Sequence, residues 1–265
     1  MPSIRQLSIY PLLLAAFGSL PAPALAQLDA AALARLAQLS STPTLAGDLV
    51  YDGVVSSGNA TAAPLFTYQR FVADVPAGLQ ATHITHEPNG QVVVVESATV
   101  STSYALLRFD AINRQLGSSG SVTLRDGGRH LDFQRMENGR LSTGSEDVSE
   151  PVVSGPSLHG FILAHWEQLA SGKPLAVRMV VLAKMETYGF EIRRLADDAG
   201  RATVSITPSS WLVRLAVAPM QVQFDATTRR LLRYEGRVPP MQLVDGKLRD
   251  LDAKVDYTMV LSAYR

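Results

Sequence analysis

Cysteine is absent from all 265 residues. That excludes disulfides, thiolate metal sites and a lipid-modified N-terminal cysteine. Charge is sparse: Asp, Glu, Lys and Arg make up 18% of the chain, with 24 basic residues against 24 acidic ones. Nothing there announces the clustered basic surface of a nucleic-acid binder. Aromatic residues amount to 7%, thin for the girdles of an outer-membrane barrel, and a regular lipid-facing band is missing. Glycine-rich phosphate loops and paired-carboxylate signatures are missing too, so no cofactor is expected.

What is present begins with a leader. In MPSIRQLSIYPLLLAAFGSLPAPALAQ the only charge of the first 26 residues is Arg5, an apolar stretch runs from Leu7 to Leu20, and Ala24-Leu25-Ala26 precedes Gln27. This is the layout of a secretory signal peptide cleaved after Ala26. Its apolar part falls short of the about 20 residues a membrane span needs. The expected mature chain, 27–265, carries 23 basic against 24 acidic residues. It is expected in the periplasm, or secreted, and not as a lipoprotein.

The mature chain reads as one β-rich domain. Asp29 caps a short helix over 29–39, and SSTPT at 40–44 breaks it. Tight turns are signalled by Pro88-Asn89-Gly90, Asp126-Gly127-Gly128 and Glu137-Asn138-Gly139, because Asn and Gly accept the positive φ of short hairpins. Alternation marks half-buried strands at Leu131/Phe133, Val204/Ile206, Val222/Phe224 and Val255/Tyr257/Met259/Leu261. The acidic, Ser-rich stretch 142–155 reads as the longest loop, dividing two strand-rich halves, and 209–217 is ambiguous between helix and strand. The fold class expected is mainly β (α+β): a curved antiparallel sheet or open half-barrel of roughly ten strands wrapped about one central helix.

That helix is expected near 156–171. Leu158, Ile162, His165 and Leu169 fall on one stripe, flanked by Phe161 and Trp166. Pro156 suits the first turn and Gly172 the stop. Ser157 has the plain task of satisfying first-turn N–H groups rather than acting as a nucleophile, since G-x-S-x-G is not formed. His165 is expected in the core and His159 exposed. His83 and His86, three apart on a strand, point to opposite faces and share no metal; both read as solvated. Arg229, Arg230 and Arg233 form the densest basic cluster, read as a solvated face with a Glu–Arg pair. Asn59-Ala60-Thr61 matches a glycosylation sequon. QVVVVES and VRMVVLAK are apolar on both strand faces, more than two or three helices cover.

The stretches GFILAHWEQLASGKPLAVRMVV (160–181) and FDATTRRLLRYEGRVPP (224–240), followed by Val255-Asp256-Tyr257, resemble a family of uncharacterised exported proteins of Gram-negative bacteria. YDGVVSSG and THEPNGQVVVVES match it more loosely. Arg237-Val238-Pro239-Pro240 departs from the serine–asparagine turn that the family pattern places there. The architecture is more distantly similar to periplasmic lipoprotein-carrier half-barrels, which implies room for acyl chains. The function expected is non-catalytic binding of an apolar or amphiphilic, lipid-like molecule by Phe161, His165, Trp166, Val93 and Val95. Two alternatives stand beside it: an envelope assembly or scaffold protein with an apolar face for an envelope protein, and a hydrolase using a buried histidine.

Overall fold

The computed structural model describes residues 47–57 and 63–260. The expected leader, the helix over 29–39, the sequon at 59–61 and Leu261 lie outside the described residues. Among the described residues, fifteen strands rather than about ten join in one open sheet. The first half holds β1 (Asp48–Ser56), β2 (Phe66–Val75), β3 (Gly78–His86), β4 (Val92–Val100), β5 (Leu106–Asn113), β6 (Ser118–Arg125), β7 (His130–Glu137) and β8 (Arg140–Asp147). The second holds β9 (Val152–Val153), β10 (Leu175–Val181), β11 (Glu186–Arg194), β12 (Arg201–Pro208), β13 (Met220–Asp225), β14 (Leu231–Val244) and β15 (Lys247–Met259).

From β1 to β8 and from β10 to β15 each strand pairs antiparallel with its sequence neighbour, giving two meanders, and β9 adds to β10 in parallel across the helical connection. The seam between them is the antiparallel pairing of β1 with β15, through Tyr51↔Met259 to Ser56↔Lys254. The outer edges are β8 and β9. Period-2 burial is clean in the strands read from sequence: Ala202, Val204 and Ile206 are buried while Thr203, Ser205 and Thr207 are half-buried. Asn138 and Gly139 carry φ of 49° and 74°, the positive pair a two-residue hairpin demands.

The stretch 142–155 is corrected from loop to structure. Residues up to Asp147 belong to β8 and pair with β7, but β8 has no buried residue, so the strand carries no apolar alternation. Its role lies at Glu146. That carboxylate accepts from Arg178 Nη2 (2.7 Å), Thr187 Oγ1 (2.8 Å) and Thr187 N (2.7 Å). Edge strand β8 is thereby tied to β10 and β11 by side chains, without a closing ladder.

The single helix is corrected to two short ones, α1 (Gly155–Ala164) and α2 (Trp166–Ala170), broken at His165. Every residue from Pro156 to Ile162 is buried while Gly155 and Ala164 at the ends are exposed, so the middle of α1 has no solvent face. It packs on β3, β4 and β9, and α2 on β11. Phe161, Ile162, Trp166 and Leu169 join Val204, Ile206, Val222 and Phe224 in the main core. A second core joins β4–β7 to β9 and β10; a Cβ on Gly120 would stand 3.0 Å from Leu182 Cδ2, so the sheet folds over itself there. At the other end Gln115 Nε2 donates to Met241 O (3.0 Å), and Met241 N donates back to Gln115 Oε1 (2.8 Å).

Residues 209–217 resolve as α3 (Trp211–Ala216). Two expectations about stability follow. Ile162→Ala empties a fully buried site and costs about 3 kcal/mol, read as a lower urea midpoint with unchanged slope. Glu146→Ala strands the Arg178 and Thr187 donors and costs about 2 kcal/mol; an unchanged midpoint would remove the edge-to-edge tie from the account.

Candidate functional site

Strand register builds a polar cluster inside the rolled sheet. Arg70 on β2 stands opposite Tyr51 on β1 and opposite His83 on β3, and His83 stands opposite Glu96 on β4. Two residues along the same face, Tyr68 and, across Gly53, Tyr257 add their rings. Gly53 makes that approach possible: a Cβ there would meet Val255 Cγ1 at 3.0 Å and Tyr257 Cδ1 at 3.2 Å. Tyr68 and Tyr257 then meet edge-to-face at 5.4 Å, and Tyr68 meets His83 at 4.8 Å.

Arg70 is the hub and is 3% exposed. Its Nη1 donates to Pro156 O (2.8 Å), a first-turn carbonyl of α1, and to His83 Nε2 (2.6 Å). His83 therefore accepts through Nε2 and carries its proton on Nδ1. Burial, the Arg70 charge and then His159 hold the His83 pKa well below its ordinary value. Burial followed by Arg70 does the same to His159, whose ring stacks on Phe224 at 5.9 Å and meets Tyr51 edge-on at 5.7 Å. Two neutral imidazoles thus surround a fixed guanidinium. Beneath α1 the packing is close: the residual space among Arg70, Ala81, Tyr104, Pro156 and Gly160 is about 10 Å³, room for one water at most.

Glu96 is different. It lies deep, and a Cβ on Gly155 would stand 3.4 Å from its Oε2, so it faces the start of α1. Burial pushes its carboxyl up from 4.5 to about 7. Yet Glu96 is only half-buried, as are Tyr68, His83, Tyr234 and Tyr257. The negative charge of Glu96 reaches the phenols of Tyr68 and Tyr234 and helps keep both protonated, after burial and, in both, the Tyr257 charge. Each of these groups keeps some accessible surface, and Tyr68, Tyr234 and Tyr257 pack against an apolar cluster. Their wall is apolar: Val55, Phe66, Val94, Val238, Leu251, Ala253 and Val255 form a cluster without a helix residue in it. A hollow of about 310 Å³ over β1, β2 and β15 opens on the opposite face of the sheet, among Asp52, Val54, Thr67, Gln69 and Thr258.

The sequence-derived candidates are placed unevenly. Phe161 and Trp166 are buried in the main core. Trp166 carries Arg194 and Arg229 over its ring, at 4.6 and 5.3 Å. His165 is half-buried at the helix break, with Nδ1 bonded to Phe161 O (2.9 Å). Its expected core position and the expected exposure of His159 are exchanged, because α1 is enclosed on all sides rather than along one stripe. Ser157 does its expected capping work: Oγ accepts from Ser154 N (2.8 Å). Val93 packs with Val55 and Val238, and Val95 with Phe71 and Ile84. The five are not brought together: Val95 in particular points away from the side on which Glu96 meets α1.

His83 is also corrected, from solvated strand end to the interior hub, while His86 remains half-buried. Arg233 is a solvated-face residue, paired with Asp256 (2.6 Å) and Glu235 (3.7 Å). The missed residues are Arg70, Tyr68, Glu96, Tyr234 and Tyr257. A signal for one of them existed: Glu96 is the lone charge in a strand whose four preceding residues are valine. Among the described residues no group of three metal-ligating side chains occurs, and no helix is long and apolar enough to cross a membrane.

With this geometry in hand, comparison adds little. No family model matches the chain, and no curated protein matches it. Among solved structures, the crystal structure of Rv2717c from M. tuberculosis is similar at a TM-score of 0.25 and 13% identity, covering 83% of this chain and 94% of that one. A similarity that slight carries no argument about fold or function.

Stability should report the Glu96 environment. Its folded pKa is raised, so the ionised form is what the fold disfavours. The cost is absent below about 4.5, develops up to about 7 and is complete above. Glu96→Gln removes it. The variant should therefore gain stability relative to the parent as pH rises from 5 to 8. The ceiling is on the order of 3 kcal/mol, lowered by the solvent the carboxyl still touches. Thermal melts of both proteins across that range measure the difference; a constant offset contradicts the assignment.

Proposed function

We propose that the protein is an exported, non-catalytic binder of an amphiphilic small molecule, taken up inside the rolled sheet beside α1. The observation that supports this reading is the set of deep side chains with accessible surface, Tyr68, His83, Glu96, Tyr234 and Tyr257, next to the apolar wall of Val55, Phe66, Val94, Val238 and Leu251. A polar end and an apolar wall in one interior suit a molecule with a head and a tail. Phe161 and Trp166 serve this arrangement from behind, as the packing that fixes α1. Both histidines of the hydrolase alternative are engaged in other work: His159 against Phe224 and Tyr51, His165 with its own helix carbonyl.

The compartment belongs to the same proposal, and the leader-like layout of residues 1–26 is what supports the periplasm. Native mass spectrometry of protein purified from its own host tests the binding. A mass above that of the bare polypeptide, lost under denaturing conditions, is expected. A bare mass under several gentle conditions contradicts it.

A second reading, an envelope assembly protein, is favoured by one feature. On α3, Trp211, Leu212 and Leu215 are 68%, 60% and 77% exposed, a cluster of large apolar groups that monomeric surfaces seldom leave bare. If this face meets a protein, cross-linking in the periplasm should trap a partner with the parent chain and lose it with Trp211→Ser and Leu215→Ser combined. An identical cross-linking pattern for both removes this reading.

A further inference from the structure

Among the described residues, Glu96 makes no hydrogen bond and no ion pair, although it sits deep in the sheet against Gly155. The groups facing it can be named element by element. From β2 comes Tyr68, with Arg70 hydrogen-bonded to it; from β3, His83; from α1, Gly155; from β14, Tyr234. Tyr257 on β15 meets Tyr68 edge-to-face at 5.4 Å, and His159 follows one turn on in α1. The cation of the set, Arg70, is sealed from solvent: it donates to Pro156 O and His83 Nε2 and is hydrogen-bonded to Tyr68. What remains accessible is one carboxyl, three phenol rings and a neutral imidazole. None of these carries positive charge, and the rings present electron-rich faces.

We propose that the head group received beside Glu96 is a protonated amine, an alkylammonium, held by the Glu96 carboxylate and bordered by Tyr68, Tyr234 and Tyr257. This inference rests on the amphiphile reading and names its head group. A carboxylate supplies the counter-charge and accepts the ammonium hydrogens, and tyrosine rings attract a cation over their faces. An anionic head finds no accessible donor with charge there, since Arg70 is 3% exposed. Neighbouring residues support the geometry: Gly53 keeps the Tyr68–Tyr257 pair close, and the Tyr234 hydroxyl is anchored by donating to Arg237 O (2.6 Å).

The binding carries a proton signature. Burial leaves Glu96 half-protonated near neutrality, so an ammonium must meet, or create, the ionised form. Between pH 6 and pH 8 the ionised fraction rises about tenfold, and affinity for a permanently charged amine should rise by a similar factor.

Isothermal titration of the full folded protein tests this with four probes below micellar concentration: octylammonium, octanoate, octyl glucoside and ethylammonium. Octylammonium is expected to bind best at pH 8, to weaken about tenfold at pH 6, and to lose its advantage over octyl glucoside in Glu96→Gln. Should Glu96→Gln fail to fold, the pH dependence of the parent protein carries the same test. Octanoate or octyl glucoside binding as well as octylammonium at pH 8 overturns the ammonium head group and leaves the amphiphile reading standing. Ethylammonium binding with no gain from the octyl chain does the reverse. No binding by any probe overturns both.

Discussion

Everything else in the molecule depends on enclosing α1. A helix with buried residues from Pro156 to Ile162 needs apolar or neutral partners on every side, and a single flat sheet offers one side only. Two meanders joined at β1 and β15, with β9 added in parallel at one edge, supply the rest, because the joined sheet is long enough to roll until β8 reaches β11. The Glu146 bridge to Arg178 and Thr187 holds that position while leaving the ladder open. Twist brings the strands round, and burial of α1 and α2 keeps them there.

The same enclosure sets the chemistry of the interior. A buried guanidinium needs acceptors, and Pro156 O and the unprotonated nitrogen of His83 are among those that Arg70 finds. Its charge, with burial, then keeps His83 and His159 neutral. Glu96, a strand away, lacks such donors and is held close to neutrality by burial alone. One fixed positive charge, two silenced imidazoles and one carboxyl able to change state follow from a single helix being packed inside a sheet. Three tyrosines fill the interior between that carboxyl and the seam, and their hydroxyls stay un-ionised for the same reason.

Much of this fold was legible in the chain. Val204/Ile206 and Val222/Phe224 announced strands because one face meets the core, and Asn138-Gly139 announced its hairpin by backbone demand. β8 was not legible, since a strand with no buried residue has no apolar period; its pairing comes from β7 and from Glu146. The split at His165 escaped the helical pattern because Leu169 and Trp166 remain apolar on either side of it. The site was harder. Arg70 and His83 are separated by 13 positions and meet only through β2–β3 register, while Tyr257 arrives from the far end of the chain through the β1–β15 seam. Phe161 and Trp166, expected as ligand contacts, lie with Phe224 in the main core, while Val93 and Val95 belong to other clusters.

The most direct measurement is a carbon-13 titration of the Glu96 side-chain carboxyl in the folded protein, assigned by comparison with Glu96→Gln. Enclosure by the rolled sheet predicts a midpoint of about 7, with the other glutamates titrating in their usual range. A Glu96 midpoint near that of a free glutamate, about 4.3, would mean that the carboxyl sits in open water and that the interior described above is not sealed around it.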